Sequence, residues 1–454
     1  MKTRLFFSIV VLLTINVRAQ FIKTTISNVQ TDGVYGLLEF DFDGDGDWDL
    51  MSASQQDNTL AYYINDGNGN FTQTIITNDL SGASFIDAAD FGDDGDMDFI
   101  GLGTSELYWY ENNNGTFTEH LIASGLSNPL QCRVYDIGSV TDPTTPDGDI
   151  DVGLLISGEN YATLYMNDGA NNFSRLNIIS VNSPKYLNGG DFDADGVDDF
   201  LISSYNNNEV LWYKLGAWGF VLGGVVTSGF EGAYGVEGGD IDLDGDDDVI
   251  ATAFLGNEVA WFENDGSANF TKHLIDDNLP GASYIRWMDI DNDGDKDIIA
   301  TGYGNESGGA TTGHQVVIYY NDGNQDFIKT VVDDTEQGPA TFSIQDFNND
   351  SALDIAFAAN VSDEIILLSQ QTGGILDNAG VDDFNVYPNP ATSFINIQTK
   401  RNKIDYIDMV DITGRKVLST VQTKIPVGKF IPGYYLLQVH FSTGDVSVRK
   451  VLIK

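Results

Sequence analysis

Seven copies of an aspartate-rich nonapeptide recur along this 454-residue chain, and their spacing narrows the folds open to it. The fullest copy reads Asp41-Phe42-Asp43-Gly44-Asp45-Gly46-Asp47-Trp48-Asp49; the others begin at Asp90, Asp136, Asp191, Asp240, Asp289 and Asp346. Successive copies start 49, 46, 55, 49, 49 and 57 residues apart. A period in this range marks propeller blades or an array, with one small sheet per unit.

Four copies carry Asp at positions 1, 3, 5 and 9 and Gly at position 6. They are Asp41, Asp43, Asp45 and Asp49; Asp191, Asp193, Asp195 and Asp199; Asp240, Asp242, Asp244 and Asp248; and Asp289, Asp291, Asp293 and Asp297. Alternating carboxylates around a turn glycine supply the hard oxygen ligands that calcium takes, about six to eight per ion. Position 7 varies between Asp47, Val197, Asp246 and Asp295, so its backbone carbonyl rather than its side chain is expected to face the ion. An EF-hand would need Glu at position 12 and flanking helices; here position 12 of the first copy is Ser52 and the flanks read as strands. The second copy offers Asp90, Asp94, Asp96 and Asp98 but has Gly92 at position 3. The third is stretched, from Asp136 to Asp147, Asp149 and Asp151. The seventh holds Asp346, Asn348, Asp350 and Asp354, with Ser351 in place of the glycine. The expectation is calcium as cofactor, in four strong sites and up to three weaker ones.

Each unit also contains an aromatic strand, a turn and a Phe strand, as in Tyr62-Tyr63-Ile64-Asn65-Asp66-Gly67 before Phe71. Asn-Asp-Gly between strands signals a hairpin. About four strands per unit follow: one entering the Asp loop, one leaving it, the aromatic strand and the Phe strand. Phe21-Ile22-Lys23-Thr24-Thr25-Ile26 resembles the Phe strand beginning at Phe71, while the seventh unit has no clear one of its own. The N-terminal strand can therefore complete the last unit and close the ring without an open edge. The expected fold is all-β, a seven-bladed β-propeller followed by a small Ig-like β-sandwich.

The formal net charge of −46 argues against nucleic acid or an anionic membrane surface as a partner. Residues 1–19, with Lys2, Arg4 and an apolar run ending before Ala19, read as a secretory signal peptide. No later segment is long and apolar enough to predict a transmembrane helix in the mature chain. Cys132, the single cysteine, excludes an intrachain disulfide and is expected to be a buried apolar residue.

The repeats resemble the FG-GAP/VCBS repeats of integrin-type propellers, over a domain placed at residues 20–376. The resemblance implies calcium loops on one face and ligands at the opposite one. The loops there would include Gln55-Gln56-Asp57-Asn58, Tyr205-Asn206-Asn207-Asn208 and the long stretch from Tyr303 to His314. After a linker at 377–385, residues 386–454 hold ten Lys/Arg against four Asp/Glu, reversing the charge of the rest. Val386-Tyr387-Pro388-Asn389-Pro390, Thr413-Gly414-Arg415 and Gly433-Tyr434-Tyr435 resemble the type IX secretion C-terminal sorting domain. That resemblance implies the type IX machinery as a partner, passage across both membranes, and a location at the cell surface or outside it.

The leading expectation for function is a calcium-binding adhesion module for a glycan or a surface protein. A polysaccharide-degrading lyase and a purely structural surface protein are the alternatives. His120 and His273 sit at matching places in Phe-Thr-x-His-Leu-Ile strands and read as repeat features. His314 alone is placed to act as a general acid or base, although a surface-loop role suits it better.

Overall fold

The computed structural model describes residues 21–92, 94–137, 147–216, 219–304, 312–371, 384–388, 390–399, 404–411, 416–430, 433–441 and 446–454. The signal-peptide reading of residues 1–19, most of the linker, the insert of the third Asp loop and the middle of the Tyr303–His314 loop lie outside them. The described residues divide into one unit spanning Phe21–Gln370 and a second from Gln371 onward. All of their regular structure is strand, and no helix among them is long and apolar enough to cross a membrane.

The first unit is built of seven four-stranded antiparallel sheets. Their innermost strands are Val34–Phe40, Phe85–Ala89, Pro129–Tyr135, Pro184–Gly190, Ala233–Gly239, Ala282–Met288 and Pro339–Gln345. Each touches the innermost strands of the sheets on either side, and Val34–Phe40 touches Pro339–Gln345, so the ring is closed. This is a seven-bladed β-propeller. Blade 7 takes its outer strand from the chain start: Phe21–Ser27 pairs with Glu364–Gln370, Phe21 opposite Gln370. Lys23 of that strand also donates to Asp333 of blade 6 at 2.9 Å.

The second strand of every blade, such as Asp49–Ser54, Asp248–Ala253 and Asp354–Ala359, is buried along its whole length. That follows from blades stacking face to face, which covers both surfaces of an inner strand. The apolar cores accordingly lie between blades. Phe40, Met51 and Leu60 of blade 1 pack with Ile86, Phe99 and Tyr110 of blade 2. Each fully buried large side chain contributes about 1.5–3 kcal/mol, so a blade without its neighbours would lose most of its stabilisation. Cys132 is buried in one such core, and burial pushes its thiol pKa up.

In the second unit a three-stranded sheet (Phe384–Tyr387, Phe394–Thr399, Lys424–Pro426) and a four-stranded sheet (Lys416–Thr420, Ile404–Asp411, Gly433–Phe441, Val446–Ile453) share one core. Ile395 and Ile425 of the first sheet and Ile407, Leu437 and Val451 of the second belong to it. Two sheets around one core make a small sandwich.

Candidate metal loops and the opposite mouth

Each Asp loop leaves the outer end of an innermost strand and is folded by its own carboxylates. In all seven, the position-1 Asp accepts the backbone N–H of position 6 at 2.8–3.1 Å. Position 6 is in the left-handed region throughout, its six glycines running from φ 85° at Gly196 to 102° at Gly245. Ser351 adopts φ 72° there, a conformation that disfavours a residue with a Cβ. Position 4, which the sequence reading passed over, is left-handed as well at Gly44, Ala194, Leu243, Asn292 and Asn349.

The position-9 Asp is buried and braces the loop against the sheet. It accepts the position-2 N–H at 2.8–3.3 Å in every blade. In six blades its other oxygen accepts the N–H ending the aromatic strand, as Asp49 does from Asn65 at 2.7 Å. Asn65 then donates its side-chain amide to Trp48 and, across the blade boundary, to Phe347 O at 2.8 Å. Position-7 side chains turn toward the hairpin. A Cβ on Gly67, Gly169, Gly266 or Gly323 would come within 2.4–2.7 Å of Asp47, Asp149, Asp246 or Asp295.

Four loops bring three carboxylates within 4.8 Å of one another: Asp41, Asp43 and Asp45; Asp191, Asp193 and Asp199; Asp240, Asp242 and Asp248; Asp289, Asp291 and Asp297. These are the four copies with Asp at positions 1, 3, 5 and 9. Such a cluster could hold a metal ion. The electrostatics favour a cation: burial, with neighbouring carboxylates adding to it, raises Asp49 to about 6 and Asp199, Asp248 and Asp297 to about 7. In the fourth loop, Asp193 Oδ1 and Asp199 Oδ1 are buried without a hydrogen-bond partner. An oxygen-only donor set with orphaned oxygens fits a calcium ion. The same loop carries a cation of its own, since Lys214 bridges Asp193 and Asp195.

Family models match the chain twice. One, described as an FG-GAP-like repeat, covers 41–101, 191–251 and 240–300, each match beginning at the first aspartate of a loop. The other, a secretion system C-terminal sorting domain, covers 385–454. The chain carries FG-GAP-like repeats and a type IX sorting domain. The sorting domain directs the chain to the cell surface or the extracellular space. Among solved structures, the virginiamycin B lyase from Staphylococcus aureus is similar in fold, with TM-score 0.52 and 14% identity over 78% of this chain and 99% of that one. The extracellular domain of the hybrid two-component system BT3049 from B. thetaiotaomicron aligns at TM-score 0.48 and 11% identity, over 95% of this chain and 57% of that one. No curated protein matches.

The face of the FG-GAP-like propeller opposite the Asp loops is where innermost strands begin. A cavity of about 280 Å³ opens there, lined by Tyr35, Lys185, Tyr186, Tyr205, Tyr234 and Phe254 among others. A second, of about 480 Å³, shares Tyr35, Lys185, Tyr186 and Tyr234 and adds Gln55, Gln56 and Asn128. Aromatic rings from different blades floor this mouth. Tyr35 Oη and Tyr234 Oη, of blades 1 and 5, lie 3.0 Å apart, and Tyr186 packs edge-on to Phe85 at 6.1 Å. Further along the channel, Arg286 binds Glu39 at 2.8 Å and approaches Glu237 at 3.9 Å, while Arg133 faces Asp87 at 4.0 Å.

The histidines resolve differently. His120 stacks on Trp109 and meets Glu111 at 2.9 Å; His273 stacks on Trp261 and meets Glu263 at 2.8 Å, the same arrangement in two blades. His314 corrects the surface-loop expectation. It is only 6% exposed, its Nδ1 accepts the Gly338 N–H at 3.1 Å, and burial lowers its pKa. The ring packs edge-on to Tyr303, with ring centres 6.4 Å apart, rather than facing solvent.

Proposed function

We propose that this exported propeller is a non-enzymatic binding module whose Asp loops hold calcium and whose opposite mouth receives a glycan. The observation that carries the reading is the mouth itself: a recess walled by tyrosines from several blades and edged by amides, facing away from the carboxylate loops. Sites for small ligands are concave, mostly apolar and furnished with a few placed polar groups. Aromatic faces offer a flat apolar surface for a sugar ring, and Gln55, Gln56 and Asn128 offer donors and acceptors for its hydroxyls.

Calcium would be held by Asp41, Asp43 and Asp45 and by the corresponding clusters at Asp191, Asp240 and Asp289, with the loops at Asp90, Asp136 and Asp346 as weaker sites. When bound it supplies positive charge to clustered carboxylates; the chain supplies the turn, the tether to the sheet and the shielding. The lyase alternative rests on fold likeness at 14% identity, and its candidate base, His314, has Nδ1 committed to a backbone N–H. The test is a glycan array probed with the full exported protein in calcium. Binding to at least one glycan, lost in Tyr205→Ala, is the expected result. An array silent for the wild type would remove the glycan reading and leave the scaffold role.

A further inference from the structure

We propose that the mouth selects an anionic saccharide, one with a carboxylate or sulfate on the ring, and that Lys185 is the group that recognises the charge. This rests on the reading of the mouth as the ligand site. The first observation is the charge of the walls. The chain has 68 acidic and 22 basic side chains, yet no Asp or Glu lines either mouth cavity, and the charged residue that lines both is Lys185. Its amine lies 5.3 Å from the Tyr205 ring centre and 5.5 Å from that of Tyr234. It makes no salt bridge among the described residues. Five other cations of the propeller, Lys23, Lys214, Lys272, Arg286 and Lys329, each hold a carboxylate, while Lys296 lies over Trp287 and lines neither mouth cavity.

The second observation is independent. Tyr186 is 3% exposed, lines both cavities, and its hydroxyl has no hydrogen-bond partner among the described residues. A buried, unmade hydrogen bond is destabilising, and a ligand acceptor would remove that cost. Four neighbouring hydroxyls are already used: Tyr35 with Tyr234, Tyr303 with Asn360, Thr341 with the Tyr35 carbonyl. What the mouth leaves free is an ammonium, which only donates, and, on the wall of the same two cavities, a phenol that can donate. Together they ask for an oxygen acceptor bearing negative charge.

The walls choose the rest of the ligand. A small inorganic anion would leave the aromatic faces uncovered. A nucleic acid carries about one charge per 1.7 Å of duplex and would run onto a strongly acidic propeller. A saccharide with one anion per ring places its charge at Lys185 and an apolar ring face on Tyr205 or Phe254, while charges farther than about 8 Å are screened at physiological salt. The cavities, about 280 and 480 Å³, fall at or near the usual range of about 300–1,000 Å³ for small-ligand sites.

The test is titration calorimetry of the full exported protein in calcium against two matched pairs. Oligogalacturonate is paired with its methyl ester, and dextran sulfate with dextran. The expected result is that the charged member of at least one pair binds and its neutral partner does not. Lys185→Met should then weaken binding at least tenfold and Tyr186→Phe less so, with Lys185→Arg retaining most of it. Melting temperature should be the same in all three variants. Equal binding of charged and neutral members, or undiminished binding by Lys185→Met, overturns the anionic assignment and leaves the glycan reading standing. No binding to any of the four, with a glycan array also silent, overturns both.

Discussion

Position 9 of the Asp loop is aspartate for a reason beyond charge. Two backbone N–H groups from different parts of the blade point at one buried spot, and a short carboxylate can accept both. Glutamate would overshoot, and asparagine would turn a donor toward one N–H. Blade 4 departs from the pattern: Asp199 Oδ1 is left without a partner and Lys214 lies across Asp193 and Asp195. An ammonium in that place competes with a divalent ion for the same oxygens. Lys214→Met should therefore raise calcium affinity at the fourth loop by roughly tenfold, since a like charge a few ångströms away opposes the ion. Calorimetry should show the change as one tightened site, and an unaltered isotherm would mean the lysine swings clear when calcium arrives.

At the level of the element, loop, hairpin and neighbouring blade behave as one device. The Asp loop is tied to the end of the aromatic strand through position 9, and Asn65 or Asn264 passes that tie to the adjacent blade, to Phe347 O and Phe192 O. Disturbing the carboxylates thus reaches inter-blade contacts. With calcium absent, like charges crowd together; with it present, binding to the native state adds stability by mass action. Extracellular calcium modules work at about 10⁻⁴–10⁻³ M. Chelation should lower the melting temperature by several degrees, and restoring millimolar calcium should recover it. Magnesium, which demands a tighter octahedral shell, should recover less. A melting curve indifferent to chelator, from protein containing no calcium, would refute the metal assignment.

For the propeller as a whole, the N-terminal strand completes the last blade and closure turns seven innermost strands into the wall of a channel. The channel buries charge. Glu237 is raised to about 7 by burial, against the pull of Arg286 and the Trp287 N–H. In the unfolded chain the same group titrates near 4.5. The native state therefore binds a proton that the unfolded state lacks between those values, and stability rises as pH falls from about 7 toward 4.5. In saturating calcium, the wild type should gain melting temperature relative to Glu237→Gln as pH drops from 7.5 to 5. Parallel curves for the two proteins would show that Arg286 keeps Glu237 ionised throughout.

The residue pattern alone determined the repeat number, which four loops cluster three carboxylates, the donation of Phe21–Ser27 to the last blade and the separate sorting tail. Each depends on residues close in the chain or on the count of units, and local spacing encodes both. The family resemblance also implied which face is proposed here for the ligand, since Gln55, Gln56, Tyr205 and Tyr303 belong to loops that it sets opposite the Asp turns. It could not supply the mouth. Tyr35, Lys185, Tyr186 and Tyr234 come from three blades and meet only because a closed ring aims the first residues of every innermost strand at one axis. The pairing of Arg286 with Glu39, 247 residues away, has the same origin. His314 shows the converse: its polar neighbours in the chain suggested the surface, but its Nδ1 meets the Gly338 N–H of the next blade, a contact that only the packing of blades supplies.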